Sequence, residues 1–89
     1  MKLATQYTKQ FKKDFELCIK HGYNMQLIKD VMVVLEEGES LPLKNKDHPL
    51  QGNYLNYREC HIQSDWLLIY QTNTETIVFV RTGTHSELF

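Results

Sequence analysis

The run Trp66–Tyr70 is apolar at every position, and it constrains the fold more than any other segment. Such a run predicts a central strand, buried on one face and partly covered on the other. Segments rich in aromatic and β-branched residues lie on either side of it, at Asn53–Ile62 and Thr76–Arg81. Short polar turns join them to the middle strand, Trp66–Gln71, so the three strands are predicted to pair as antiparallel hairpins.

Two amphipathic helices are predicted before residue 40. Behind Thr8, a suitable N-cap, the first helix repeats apolar residues at helical spacing: Phe11, Phe15, Cys18 and Ile19. Behind Asn24 the second helix repeats the pattern and closes at Gly38: Ile28, Val31, Met32 and Leu35. A short opening strand is expected within Lys2–Tyr7. We therefore expect an α+β fold, with two N-terminal helices on one face of a small antiparallel sheet and the other face at least partly open.

Size and composition limit the classes of protein that fit. A chain of 89 residues is predicted to form a single domain spanning residues 1–89. No apolar run approaches the ~20 residues of a membrane span, and the start of the chain lacks the apolar core of a signal peptide. Cys18 and Cys60 lie far apart within apolar patterns, which favours buried thiols and a cytoplasmic protein. With a net charge of −1, any nucleic acid would have to be bound through local positive charge.

Strand alternation brings chemically active side chains to one face of the predicted sheet. Cys60 and Ile62 are predicted to face the core, which directs Glu59 and His61 to the opposite face. Asp65 lies in the turn after this strand, so the hairpin brings it close to His61.

The last strand is predicted to add to the same face. Arg81, Gly83 and His85 share one parity if the strand stays extended that far, whereas Val78 and Val80 take the helix-covered face. The long loop Leu41–Gly52 is of a length that is often functional in a small domain, and it carries a further histidine. The open face can then collect five groups: His48, His61, Asp65, Arg81 and His85.

Imidazoles, a carboxylate and a guanidinium together supply a general acid, a general base and an anion clamp. Cleavage of RNA by its own 2′-hydroxyl needs those three functions, and histidine titrates nearest neutrality. Arginine stays charged and matches phosphate geometry.

Structural roles compete with this interpretation. Arg81 can instead pair with Glu59 or Asp65 to hold the fold. Trp66 and Tyr70 can be core residues rather than surfaces on which bases stack, and Lys44 and Lys46 can simply be solvated. A zinc site is conceivable, but no supporting spacing occurs among its candidate ligands: His48, His61, Asp65 and His85.

Four segments resemble, in order and spacing, the YafQ branch of the RelE/ParE toxin superfamily: Lys46–Gly52, Tyr57–Ile62, Asp65–Tyr70 and Arg81–Phe89. The last segment, which ends in His-Ser-Glu-Leu-Phe, is the most specific. The resemblance implies a microbial-RNase-like α+β domain with two N-terminal helices on a twisted antiparallel sheet. It also implies the toxin of a type II toxin–antitoxin pair, a cytoplasmic endoribonuclease that cleaves mRNA in the A site of the 70S ribosome without a metal or other cofactor.

The resemblance further implies site residues and roles. The catalytic set falls on six positions: His48, His61, Asp65, Arg81, His85 and Phe89. His85 is expected to be the general acid, and His61 or Asp65 the general base. Arg81 would stabilise the phosphorane. His48 would contact phosphate or tune a neighbour's protonation, and Phe89 would stack on a base or pack against the site. The candidates for other RNA contacts are Lys44, Lys46 and Trp66.

The partners implied are a cognate antitoxin that masks the site, mRNA and the ribosome. Operator DNA would be bound only through the antitoxin, and no membrane is involved. Two other classes stay open: a ParE-like toxin that inhibits DNA gyrase, and a non-catalytic module that binds an antitoxin or repressor.

Overall fold

The computed structural model describes residues 2–54 and 56–89, and these form five strands and three helices. In chain order the strands are β1 (Ala4–Tyr7), β2 (His48–Pro49), β3 (Arg58–Gln63), β4 (Trp66–Thr72) and β5 (Thr76–Gly83). The helices are α1 (Lys9–Lys20), α2 (Met25–Glu36) and α3 (His85–Leu88). None of these helices is long and apolar enough to cross a membrane.

The strands lie in the order β1-β5-β4-β3-β2, with β1 parallel to β5 and the other pairs antiparallel. The predicted α+β architecture, opening strand and two hairpins are therefore confirmed. The predicted strand Asn53–Ile62 is too long at its start, because a short 3-10 turn occupies Gly52–Tyr54 and Asn56 has a φ of 77°. Extended backbone begins only at Arg58, and Leu55 lies outside the described residues.

Both predicted N-caps are confirmed. The Thr8 side chain accepts a hydrogen bond from the backbone of Phe11, and Asn24 accepts one from Gln26. The predicted stripe of α1 is wrong at one position, since Ile19 is 53% exposed. The buried face of α1 instead includes Asp14, a carboxylate that is only 7% exposed.

The sheet carries an apolar layer on each face. The helices and one sheet face enclose the larger layer, which includes both cysteines as free, buried thiols. Burial raises the pKa of Cys18 to about 11, so this thiol is inert at neutral pH. The opposite face holds a smaller cluster in which Leu67, Ile69 and Leu88 are buried. Central strand β4 is thus covered on both sides, as its apolar run predicted.

A β-bulge corrects the predicted facing of β5. Ile69 pairs with Arg81 but its neighbour Tyr70 pairs with Phe79, so Val80 is the extra residue. Val80 consequently packs in the smaller cluster, while Phe79 faces the helices. The prediction that Val78 and Val80 face the helices is therefore wrong. Arg81 still lies across from Ile69, on the face that was predicted for it.

Candidate active site

A buried carboxylate joins two of the predicted histidines. Strand β2 pairs His48 with Glu59 of β3, and the His48 Nε2 lies 3.2 Å from Glu59 Oε1. The His61 Nε2 lies 3.8 Å from the same oxygen. The Glu59 side chain is only 6% exposed, whereas His48 is 47% exposed. Glu59 was missed as a site residue, although its parity with His61 already directed it to this face.

His48 makes a second contact with the backbone. Its Nδ1 lies 3.0 Å from the backbone carbonyl of Pro49, while Nε2 faces the Glu59 carboxylate. The two contacts engage both ring nitrogens and therefore orient the imidazole at an exposed edge of the sheet.

The loop that carries His48 is held in place by hydrogen bonds from β3 and β4 to Asp47. The Tyr70 hydroxyl donates to Asp47 at 2.8 Å, and Arg58 Nε donates to the same carboxylate at 3.2 Å. Burial and the Asp47 carboxylate together raise the pKa of Tyr70. Because Asp47 immediately precedes His48, these hydrogen bonds fix the position from which the histidine side chain projects. Tyr70 is accordingly a core residue, 2% exposed.

His85 is paired with Asp65, the turn residue between β3 and β4. Helix α3 begins at His85, and Asp65 Oδ1 accepts from its backbone N–H at 3.1 Å and contacts its Nδ1 at 3.2 Å. These hydrogen bonds, the backbone one first, hold the pKa of Asp65 below its usual value. The prediction that β5 stays extended to His85 is wrong: the strand ends at Gly83, and the start of a helix positions the imidazole.

Aromatic contacts connect the two pairs. The ring centroids of His61 and His85 are 6.2 Å apart, and those of His85 and Phe89 are 6.0 Å apart. Phe89 meets the Tyr54 ring edge-on at 5.4 Å, and the Tyr54 hydroxyl donates weakly to the Leu88 carbonyl at 3.4 Å. His61, His85 and Phe89 therefore form one continuous surface, and Tyr54 is a further neighbour that the sequence patterns did not single out.

Arg81 is held by a partner that was not predicted. Its Nε and Nη2 donate to the Asp14 carboxylate at 2.8 and 3.1 Å, so the alternative of a structural pairing with Glu59 or Asp65 is wrong. Asp14 reaches it because α1 passes along the edge of β5 beyond the end of β1. In the sheet Arg81 nevertheless shares a row with Glu59, since Ile69 pairs with both residues.

The three residues predicted to make other RNA contacts divide into two groups. Lys44 and Lys46 are exposed and line a shallow depression of about 240 Å³ together with His61. Trp66 is only 3% exposed, donates from Nε1 to Thr82 at 2.9 Å and packs against Tyr23. An indole whose face and N–H are both used in the core cannot stack on a base, so the prediction of Trp66 as an RNA contact is wrong.

A metal could be held by one group of side chains on this face. Donor atoms of His48, Glu59 and His61 all lie within 4.8 Å of one another. Two imidazoles and a carboxylate are a donor set that suits zinc and copper. The zinc set considered from the sequence is different, because Asp65 and His85 pair with each other instead of joining these three.

Imidazoles backed by carboxylates, beside an aromatic ring and surface lysines, are suited to proton transfer on a bound polyanion. The fold and this site together define a small toxin of the RelE/ParE superfamily. A family model described as "Bacterial toxin of type II toxin-antitoxin system, YafQ" matches residues 3–89. The chain belongs to that family.

This chain is similar to known toxins, in sequence and in structure, along nearly its whole length. The mRNA interferase toxin YafQ of Escherichia coli K12 is 41% identical over 85 residues, which cover 94% of this chain and 92% of that protein. YafQ in the E. coli DinJ–YafQ toxin–antitoxin complex has a TM-score of 0.94 at 39% identity, covering 100% of this chain and 99% of that one. A metal-bound toxin from Helicobacter pylori has a TM-score of 0.91 at 40% identity, covering 98% and 99%.

Proposed function

We propose that this chain is an mRNA interferase, an endoribonuclease that cleaves mRNA in the ribosomal A site by metal-independent acid–base catalysis. The observation that carries the proposal is the convergence of His61, His85 and Phe89, with Asp65 and Glu59 behind the imidazoles. The name of the E. coli relative, 41% identical, supports the same activity.

His85 is the general acid in this proposal. With Asp65 ionised, the contact at 3.2 Å assigns a proton to Nδ1 and leaves Nε2 to face the substrate. An imidazolium at this position donates its Nε2 proton to the 5′-oxygen as the P–O5′ bond breaks. The backbone and side-chain hydrogen bonds from His85 lower the pKa of Asp65, so the carboxylate that orients this imidazole is ionised.

His61 is the general base. Asp65 was the alternative, but its contacts with His85 make it the partner of the acid. His61 removes the 2′-hydroxyl proton as the O2′–P bond forms, giving a 2′,3′-cyclic phosphate and a free 5′-hydroxyl. His48 and Arg81 stabilise the charge that develops on the phosphorane, and Phe89 stacks on a base.

The test is a reconstituted translation reaction in which cut mRNA is mapped by primer extension. We expect the wild type to cut translated message and His85→Ala to lose at least ~10²-fold in rate, the usual contribution of a general acid. His21→Ala is the matched control, because His21 is an exposed histidine at the C-terminal end of α1 that takes no part in the proposed proton transfers. Uncut message with the wild type, together with loss of gyrase supercoiling, would identify a gyrase inhibitor instead.

The proposed partner is an antitoxin encoded beside this toxin. The structure of the DinJ–YafQ complex supports a pairing of this kind, since its YafQ chain is 39% identical to this one. The antitoxin would mask the site and carry the complex to operator DNA. Co-expression with the product of the adjacent reading frame should restore growth, and failure to form a stable complex would contradict this pairing.

Transition metals are proposed to inhibit this site. An ion on His48, Glu59 and His61 would occupy the lone pair that His61 needs as a base. The metal-bound H. pylori toxin supports binding of this kind. Toxin stripped with a chelator, which is removed before ribosomes are added, should cleave at the full rate, and added zinc or copper should inhibit it. Loss of activity after stripping, with rescue by zinc, would show the metal to be a cofactor instead.

A further inference from the structure

Asp14 is a buried carboxylate of α1 that takes no part in the proton transfers proposed above. It lies against the edge of β5, just past the end of β1, where Oδ2 accepts from the backbone N–H of Thr82 at 3.2 Å. Oδ1 accepts from Gln10 Nε2 at 3.0 Å. The carboxylate is therefore anchored on two sides before its contact with Arg81 is considered.

Arg81 meets this anchored carboxylate with one edge of its guanidinium. Nε donates to Oδ2 at 2.8 Å and Nη2 donates to Oδ1 at 3.1 Å, a two-point geometry that fixes the plane of the guanidinium. Within residues 2–54 and 56–89, the third nitrogen, Nη1, has no hydrogen-bond partner. The Arg81 side chain keeps 27% exposure, so the cation is only partly buried by its contact with Asp14.

The position of Arg81 in the sheet relates this geometry to the site. The bulge at Val80 leaves Arg81 opposite Ile69, in the same row as Glu59. A long arginine side chain at such a position would otherwise sample many rotamers. An arginine that is already oriented loses less freedom when it meets a phosphate.

We propose that Asp14 is a positioning residue for RNA cleavage: it fixes the Arg81 guanidinium by two hydrogen bonds so that Nη1 meets an anionic phosphate oxygen of the message. This inference rests on the proposed ribonuclease function. It assigns to the helical half of the chain a part in a site whose other residues all come from the second half.

The experiment is a double-mutant cycle on the rate of cleavage at saturating toxin in the translation reaction. Asp14→Asn should lower this rate about 10- to 100-fold, the loss typical of a misplaced catalytic group. Arg81→Ala should lower it at least as much, and the double variant should be no slower than Arg81→Ala. Asp30→Asn is the matched control, because Asp30 is bonded to Gln26 at the same helical spacing but is exposed. Its rate should equal that of the wild type.

Chemical rescue separates positioning from a purely structural role. Guanidinium ion should restore part of the rate of Arg81→Ala, because Asp14 can hold the free cation, and should not rescue the double variant. Equal rescue of both, or Asp14→Asn slowing Arg81→Ala as much as it slows the wild type, would overturn the inference. If Asp14→Asn is unfolded at the assay temperature, Asp14→Glu takes its place: a folded Glu variant that cleaves at the wild-type rate would also overturn it. A wild type that cuts no message would contradict the proposed function itself.

Discussion

Glu59 is the residue at which stability and function are expected to conflict most clearly. A carboxylate with only 6% side-chain exposure loses hydration, and the side chains that pair with it are histidines rather than arginine or lysine. We expect Glu59→Gln to be at least as stable as the wild type in urea, because the isosteric amide removes a buried charge. The same variant should cleave about tenfold or more slowly, since the imidazoles lose the anion that orients them.

The control for Glu59→Gln is Glu75→Gln, in the exposed turn before β5, which should change neither quantity. Circular dichroism verifies the folded fraction of each variant before cleavage is measured. A Glu59→Gln protein that cleaves at the wild-type rate would remove Glu59 from the site.

Asp14 should make stability depend on pH in a defined direction. Burial raises its pKa, but hydrogen bonds from Arg81, Gln10 and the Thr82 backbone outweigh burial, and the net pKa is lowered. A carboxyl whose folded pKa is depressed stabilises the fold above its unfolded pKa of about 3.9 and loses that contribution as the pH falls through the folded value.

The wild type should therefore exceed Asp14→Asn in free energy of unfolding by about 1.5–3 kcal/mol at pH 7, the range for hydrogen bonds to charged groups. The difference should shrink below about pH 4, where Asp14 begins to be protonated in the unfolded state. Urea titrations of both proteins at several pH values measure it. A difference that stays constant down to pH 2 would contradict the assigned ionisation.

Residue patterns predicted most members of the candidate site but missed two of its carboxylates, Glu59 and Asp14. The histidines, Asp65, Arg81 and Phe89 carry recognisable chemistry and a specific C-terminal motif. Asp14 was overlooked because an acidic residue in an amphipathic helix is usually predicted to be solvent-exposed. Its burial depends on the tertiary contact with Arg81, which local sequence does not reveal. Trp66 was misassigned for the opposite reason: an aromatic residue beside a candidate site suits both a core and a binding surface.

At the scale of elements, the short helix α3 presents the proposed acid. The Thr84 side chain accepts a hydrogen bond from the Glu87 backbone, and Glu87 Oε1 accepts one from the Thr84 backbone N–H at 2.8 Å. A Cβ at Gly83 would lie 2.9 Å from that same Glu87 oxygen. The capping box therefore depends on a glycine at the end of β5.

We expect Gly83→Ala to displace Glu87, weaken the cap by about 0.5–2 kcal/mol and slow cleavage severalfold by releasing His85 from its orientation. Gly22→Ala is the control, because its φ of 76° is strained for alanine but no atom lies within 4 Å of the added Cβ. It should lower the unfolding midpoint without slowing the folded enzyme. If the two variants cleave at the same rate, the orientation of His85 by α3 does not contribute to catalysis.

Helices and strands were largely predictable because caps, apolar stripes and turn residues are local signals. The two β-bulges were not. Each inserts one residue, near Ile62 and at Val80, and thereby shifts the alternation of the strand beyond it. Parity counted from the sequence assumes regular pairing, so it assigned Arg81 correctly but Val80 wrongly.

For the whole molecule, a net charge of −1 means that affinity for RNA has to come from a local patch. Lys44→Ala with Lys46→Ala should raise the toxin concentration needed for half-maximal cleavage and weaken its salt dependence, with the saturated rate unchanged. Lys9→Ala with Lys13→Ala makes the same change in net charge on exposed positions of α1. An identical effect of both pairs would show that overall charge, rather than this patch, governs binding.

The order of strands has a consequence for how such a protein is made. Strand β5 lies between β1 and β4, yet it emerges from the ribosome after all the other strands. Asp14 and Arg81 are separated by 67 residues in the sequence, so their contact forms only after Arg81 has been synthesised. Likewise, β1 can pair only once β5 has left the exit tunnel. The sheet and the Asp14–Arg81 contact are consequently completed only after the last strand has been synthesised, so the fold closes late in synthesis rather than growing from its first strand.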